Sequence, residues 1–196
     1  MSNILMTADL HLSHKNIIRH CNRPWQDVTE HDDALIDNWN SVVGKKDLVY
    51  VLGDLIMVPK QVDGTPTMKI YRRLRSRLQG RIFLIKGNHD LGSKEYYECF
   101  TGVCEGIKDL IIDKQKVTLC HYPMRSWNCS FHSSWHLFGH THSRLENVNT
   151  GLSFDVGVDV PDWDYKPVSW EQIKEKMAKK IAVWNENIRK EGTSRM

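Results

Sequence analysis

Ile4-Leu5-Met6-Thr7-Ala8-Asp9-Leu10-His11 is a short apolar run that ends abruptly in a carboxylate and an imidazole. The same format returns along the chain. Asp47 to Leu52 runs into Gly53-Asp54, Arg81 to Lys86 into Gly87-Asn88-His89-Asp90, Val117 to Cys120 into His121, and Trp135 to Phe138 into Gly139-His140-Thr141-His142. Apolar, often β-branched runs bounded by Gly or Asp predict buried strands, and Phe154 to Val160 is a further one. Helical spacing lies between them. Thr29-Glu30-His31-Asp32 has the form of a capping box, followed by Leu35, Trp39 and Val42. Thr67 to Gln79 carries Ile70, Tyr71, Leu74 and Leu78 on one face, and Gly80 suits its end. The opposite face, with Lys69, Arg72, Arg73 and Arg77, is either a solvated surface or an anion patch. Ser169 can cap a helix over about 169–190 through Trp170, Ile173, Met177, Ile181 and Trp184, with a tail expected to fray after Lys190. Lys108 to Cys120, with Asp113-Lys114-Gln115-Lys116 between two apolar runs, reads as a hairpin, so the sheet is mixed. Strands alternating with helices predict an α/β layered domain.

The 196 residues suit one domain spanning 1–196, and 40% hydrophobic content supports a real core and excludes a mainly disordered chain. No apolar stretch approaches the ~20 residues of a membrane span. The first residues carry no basic region and reach Asp9 early, so a secretory signal is not expected. A net charge of +3, with both signs spread along the chain, does not argue for a stable nucleic-acid complex. Five cysteines, an odd number without a C-x-x-C pair, are expected as free thiols in a reducing cytoplasm.

The strand ends carry the chemistry. Asp, Asn and His supply oxygen and imidazole nitrogen without thiolate, a set that suits Mn²⁺, Fe or Zn²⁺ better than Ca²⁺ or Mg²⁺. Taken singly, Asp9-x-His11 is a strand-end acid beside a surface histidine, Gly53-Asp54 is a turn, and Asn88 can cap a helix. Together Asp9, His11, Asp54, Asn88, His121, His140 and His142 are too many ligands for one catalytic ion. If Asp54 bridges, each of two divalent ions receives four protein ligands, and a shared water can attack phosphorus in line.

The order D-x-H, G-D, G-N-H-D, H, G-H-x-H, spanning residues 9 to 142, resembles the calcineurin-like metallophosphoesterase superfamily, in particular its small single-domain members from bacteria and phages. Asn22-Arg23-Pro24-Trp25 and Phe154-Asp155-Val156-Gly157-Val158-Asp159 add to the likeness. The resemblance implies two packed mixed sheets flanked by helices in a four-layer sandwich. It implies that Asp9, His11 and His142 hold a first metal, that Asn88, His121 and His140 hold a second, and that Asp54 bridges them. It makes His89 a substrate-facing catalytic residue, and an imidazole suits proton delivery to a leaving oxygen. Mn²⁺ is the expected ion, with Fe, Zn²⁺ or Ni²⁺ as alternatives. Protein phosphatases of this superfamily extend the second motif to G-D-x-x-D-R-G, whereas Leu55-Ile56-Met57-Val58 follows here. Arg23 and Arg125 are therefore the candidate phosphate clamps, with His14 as a further lining residue. Trp127 either stacks on a base or anchors its loop. The expected activity is hydrolysis of phosphoric esters, diesters before monoesters, with a nucleotide or cyclic nucleotide among the candidate substrates. A nuclease of the same superfamily and an inactive binding scaffold are the alternatives. Such nucleases usually add a DNA-binding domain, and scaffolds lose ligands.

Overall fold

Side chains that alternate along each strand build two separate cores. In β1 (Ile4–Thr7), Leu5 joins a core shared with helices and Met6 a core shared with a second sheet. The computed structural model describes residues 2–58, 67–145 and 151–193, the last eight of these by backbone alone. After β1 come α1 (Lys15–His20) and α2 (Val28–Val42). Asp27, two residues before the expected Thr29, caps α2. It is extended, and its carboxylate accepts the Thr29 and Glu30 amides, while Glu30 reaches back to the Gln26 amide at 2.8 Å. Val42 is exposed and the next residue, Val43, is buried in its stead, because the helix ends at Val42 and the chain turns inward.

β2 (Leu48–Val51), α3 (Thr67–Arg77) and β3 (Arg81–Ile85) follow as a parallel crossover unit. Ile70, Tyr71, Leu74 and Leu78 pack against Leu35, Ile36 and Trp39 of α2 and against Val49, Val51, Ile82 and Leu84 of the sheet. Each such aliphatic side chain contributes about 1.5–3 kcal/mol by leaving water. Lys69, Arg72, Arg73 and Arg77 face solvent, and Arg77 pairs with Asp33 at 2.7 Å. Two short elements, α4 (Lys94–Tyr97) and β4 (Gly102–Cys104), carry no period in the sequence and were not anticipated.

The second half opens with the expected hairpin of β5 (Lys108–Ile112) and β6 (Gln115–Leu119), turned by Asp113 and Lys114 with φ of 49° and 68°. β7 (Trp135–Phe138), β8 (Ser153–Asp155), β9 (Val168–Ser169) and α5 (Trp170–Thr193) complete the chain. The Ser169 hydroxyl accepts the Gln172 amide and starts α5 as expected. The backbone stays helical to Thr193, beyond the point where fraying was expected, and 194–196 lie outside the described residues. Pairing gives one sheet of order β4-β3-β2-β1-β9 and a second of order β5-β6-β7-β8, both mixed. Met6, Ala8, Leu52 and Ile85 of the first sheet meet Val117, Leu119, Leu137 and Phe154 of the second, with Trp170, Ile173 and Met177 of α5 closing that core. This is the α/β layering that the strand and helix patterns predict, in the two-sheet form that the resemblance implies. Among the described residues, no helix is long and apolar enough to cross a membrane.

Candidate metal centre

β1, β2 and β3 run parallel in one sheet, and β6 and β7 run parallel in the other. The turns that follow them therefore open together, where α/β sheets place ligand sites. The sheets are joined at that edge: the Val158 amide donates to the Ala8 carbonyl at 3.1 Å and the His140 amide to Asp9 Oδ2 at 2.7 Å. Asp9, His11, Asp54, His140 and His142 all adopt left-handed backbone, with φ between 47° and 68°. Such residues cost about 1–3 kcal/mol each, persist only where their surroundings over-determine them, and cluster at functional sites. Gly53, at φ +89°, shows how tight the packing is. A Cβ there would overlap His121 Nδ1 and lie 2.7 Å from Gly87 Cα, so the loops after β2 and β3 can touch only as glycines.

Ligand atoms of Asp9, His11 and His142 all lie within 4.8 Å of one another, and so do those of Asp9, Asp54 and His121. Asp54 Oδ2 sits between the groups, 3.6 Å from His11 Nε2 and 3.5 Å from His121 Nε2. Asn88 Oδ1 is 3.0 Å from His121 Nε2, and the His140 ring centre is 5.0 Å from that of His121. Asp9 belongs to both groups, a central position expected of Asp54 alone. Hydrogen bonds from behind select the free atoms. His121 Nδ1 donates to the Leu52 carbonyl at 2.7 Å, which leaves its Nε2 toward Asp54 and Asn88, and His142 Nδ1 donates to Asp159 at 2.6 Å. Among the described residues, Asp9 Oδ1 and both ring nitrogens of His11 are buried without a hydrogen-bond partner. Buried polar atoms left unpaired are costly. Divalent cations relieve that cost, and the oxygen and imidazole donors fit first-row ions.

Electrostatics point the same way. Burial pushes the Asp9 carboxyl well above the carboxylate range, and the charges of Asp155 and Asp54 add to the effect. Burial and the charge of His142 hold His11 far below the usual imidazole value, so its ring is neutral. Burial opposes the charge of His142 too, but its hydrogen bonds to Asp159 and Cys21 prevail and raise its pKa to about 10. The metal-free chain is therefore expected to carry His142 as imidazolium at neutral pH. That contribution to stability is fully present below the ordinary value of 6.5 and is lost as pH rises through about 10. If His142 is a ligand, Zn²⁺ loading should expel the proton. Imidazole ¹⁵N shifts at mildly alkaline pH should show His142 turning neutral as Zn²⁺ is added; a ring already neutral without metal would contradict this. Cys21 also lies within 4.8 Å of His142 and Asp159, but Arg23 bonds the same Asp159 oxygen as His142 and disfavours a cation there.

His89 is exposed beside the centre, its ring 5.4 Å from that of His11, and its amide donates to Asp54 Oδ1 at 2.8 Å. His14 stands 5.4 Å from His11 and 6.3 Å from His89, on the same side. Arg125 is exposed and makes no ion pair among the described residues. Arg23 requires a correction. It is 4% exposed, and all its donors are engaged by Asp159, His31 and the Asp9 and Leu10 carbonyls, so it has none to offer phosphate. Trp127 anchors its loop: Nε1 donates to the Ser134 carbonyl at 3.2 Å and the ring lies against His136.

Three further residues support the centre in ways that their place in the sequence does not show. Asp90 accepts the Asp54 and Gly87 amides at 2.8 Å each and the Tyr96 hydroxyl at 2.8 Å, binding the two glycine loops together. Asp155 accepts the Thr141 hydroxyl at 2.6 Å. Tyr122, 46% exposed, stands with its ring 5.0 Å from His121 and 4.8 Å from His140. Its position directly after His121 was the available hint.

A family model described as calcineurin-like phosphoesterase matches residues 2–144. An uncharacterized protein of Methanocaldococcus jannaschii is 34% identical over 88% of this chain and 90% of its own. The gene 66 protein of Mycobacterium phage D29 is 27% identical over 81% of this chain and 89% of its own. Among solved structures, a protein of unknown function from Aquifex aeolicus shares the fold, with a TM-score of 0.69 at 21% identity over 89% of this chain and 99% of that one.

Proposed function

The chain belongs to the calcineurin-like phosphoesterase family, and from that premise we propose that it is a dinuclear, Mn²⁺-preferring hydrolase that cleaves phosphodiesters more readily than monoesters. One observation carries the reading: Asp9, His11, Asp54, His121 and His142 converge at the strand ends with buried ligand atoms left unpaired. In this reading Asp9, His11 and His142 hold one ion, Asn88, His121 and His140 the other, and Asp54 both. The ions, when bound, lower the pKa of a shared water and offset the charge that develops on the phosphoryl oxygens.

The remaining work belongs to side chains. His89, exposed at the mouth and fixed through its amide by Asp54, delivers a ring proton to the departing oxygen. His14 shares that wall, while the exposed ring of Tyr122 lines the opposite one and offers a face to a planar leaving group. The diester preference is supported by what surrounds the site. No Asp-Arg follows Gly53-Asp54, and Arg23 is saturated, so neither offers a cation to the extra charge of a monoester dianion. A cytoplasmic location and a single functional unit over 1–196 accord with five unpaired cysteines and one continuous pair of sheets.

The test is hydrolysis by metal-stripped protein of bis-p-nitrophenyl phosphate against p-nitrophenyl phosphate as Mn²⁺ is restored. Turnover should be absent without metal and should return with Mn²⁺, faster for the diester. Faster monoester turnover would reverse the preference. No turnover of either with any first-row ion would remove the hydrolase reading.

A further inference from the structure

Behind three of the candidate ligands lies a buried polar unit that phosphoester chemistry does not itself require. Arg23 Nε and Nη2 donate to the two oxygens of Asp159 at 2.8 Å each. Nη2 also donates to the Asp9 carbonyl at 2.7 Å, and Nη1 to the Leu10 carbonyl at 2.8 Å and to His31 Nε2 at 2.7 Å. Since His31 accepts at Nε2, its proton sits on Nδ1 and goes to Asp32 Oδ1 at 2.8 Å. Both oxygens of Asp32 accept the Ser13 amide at 2.9 Å. At the other end, Asp159 Oδ2 accepts from His142 Nδ1 at 2.6 Å. One hydrogen-bonded chain thus grips the Asp9–Ser13 loop on both sides of His11 and holds His142 as well.

That loop needs holding. Asp9, His11 and Ser13 are all left-handed, at φ 59°, 53° and 69°, a backbone that side-chain-bearing residues keep only under outside constraint. The unit itself is close to dry, with Arg23 4%, His31 0% and Asp32 8% exposed, and Trp25 packs edge-on against His31. A guanidinium suits the task because its planar fork offers five donors at fixed angles, whereas lysine offers three on a flexible stem.

We propose that Arg23, His31, Asp32 and Asp159 form a template that sets Asp9, His11 and His142 in ligand geometry before an ion arrives, making these four the positioning residues of the first metal position. This rests on the two-metal reading of the site. The second position shares Asp9 but rests mainly on other groups, the Leu52 carbonyl on His121 and Asp90 on the Asp54 and Gly87 amides, so the template bears more strongly on the first.

Calorimetric titration of metal-stripped protein with Mn²⁺ tests it. Wild type should take up two ions per chain. Asp159→Asn keeps the shape and removes the charge that orients His142; it should weaken one position by about 10- to 100-fold, as losing an outer partner of a ligand does, and weaken the other much less. Arg23→Lys should do the same, and it stands in if Asp159→Asn does not fold. Unchanged affinity at both positions, or equal loss at both, would overturn the template. If wild type binds a single ion, the two-metal reading fails; the template then survives only if Asp159→Asn weakens that ion.

Discussion

Asp54→Asn is expected to abolish Mn²⁺-dependent hydrolysis, by on the order of 10³-fold or more, which corresponds to roughly 4 kcal/mol of barrier. The carboxylate lies between His11 Nε2 and His121 Nε2 at 3.6 and 3.5 Å, so its charge is placed to serve both proposed metal positions. The amide keeps the volume and the oxygen that accepts the His89 amide but loses the charge. The same change should not cost metal-free stability. The charge of Asp54 is among the causes that raise the pKa values of buried Asp9 and Asp90, so removing it relieves repulsion among carboxylates. Thermal unfolding in chelator should therefore show a midpoint at or above wild type beside the lost activity. A variant that is inactive because it is unfolded would contradict this division.

His89→Ala should lower kcat by about 10²- to 10⁴-fold for esters with an alkoxide leaving group, the usual worth of a positioned general acid. The loss should be much smaller for p-nitrophenyl esters, whose leaving group departs without a proton. Metal uptake should be unchanged, because the side chain of His89 is exposed at the mouth and only its amide touches Asp54. Comparing a p-nitrophenyl ester with an alkyl ester, using protein with two ions bound, separates the roles. An equal loss on both substrates would show His89 stabilising charge rather than moving a proton.

The architecture was readable wherever a local pattern had a physical period. The apolar runs into Asp9, Asp54, Asn88, His121 and His140 became β1, β2, β3, β6 and β7, and the stripe of Ile70, Tyr71, Leu74 and Leu78 became the buried face of α3. Errors gathered where the period is weak. The α2 cap lay two residues early, at Asp27, and β8 stopped at Asp155, well short of Val160, because the chain leaves β7 there and Gly157 instead bridges to Ala8 beside β1.

Arg23 marks the boundary between the two kinds of knowledge. An arginine beside motif text has the chemistry of a phosphate clamp. Whether its donors are free depends on Asp159, 136 residues away, and on the Asp9 and Leu10 carbonyls of a loop in which Asp9 and His11 are left-handed. Asp90 and Asp155 are similar: each stands in a recognisable run, but only folding brings amides and hydroxyls to it. By itself, the sequence determined the strands, the helices and the residue types at the strand ends, because hydrophobic period and donor chemistry are local properties. Only the tertiary structure decided which atoms of those residues face one another, which are consumed by hydrogen bonds, and which stay unpaired for a cation, because long-range hydrogen bonding and burial belong to no single segment.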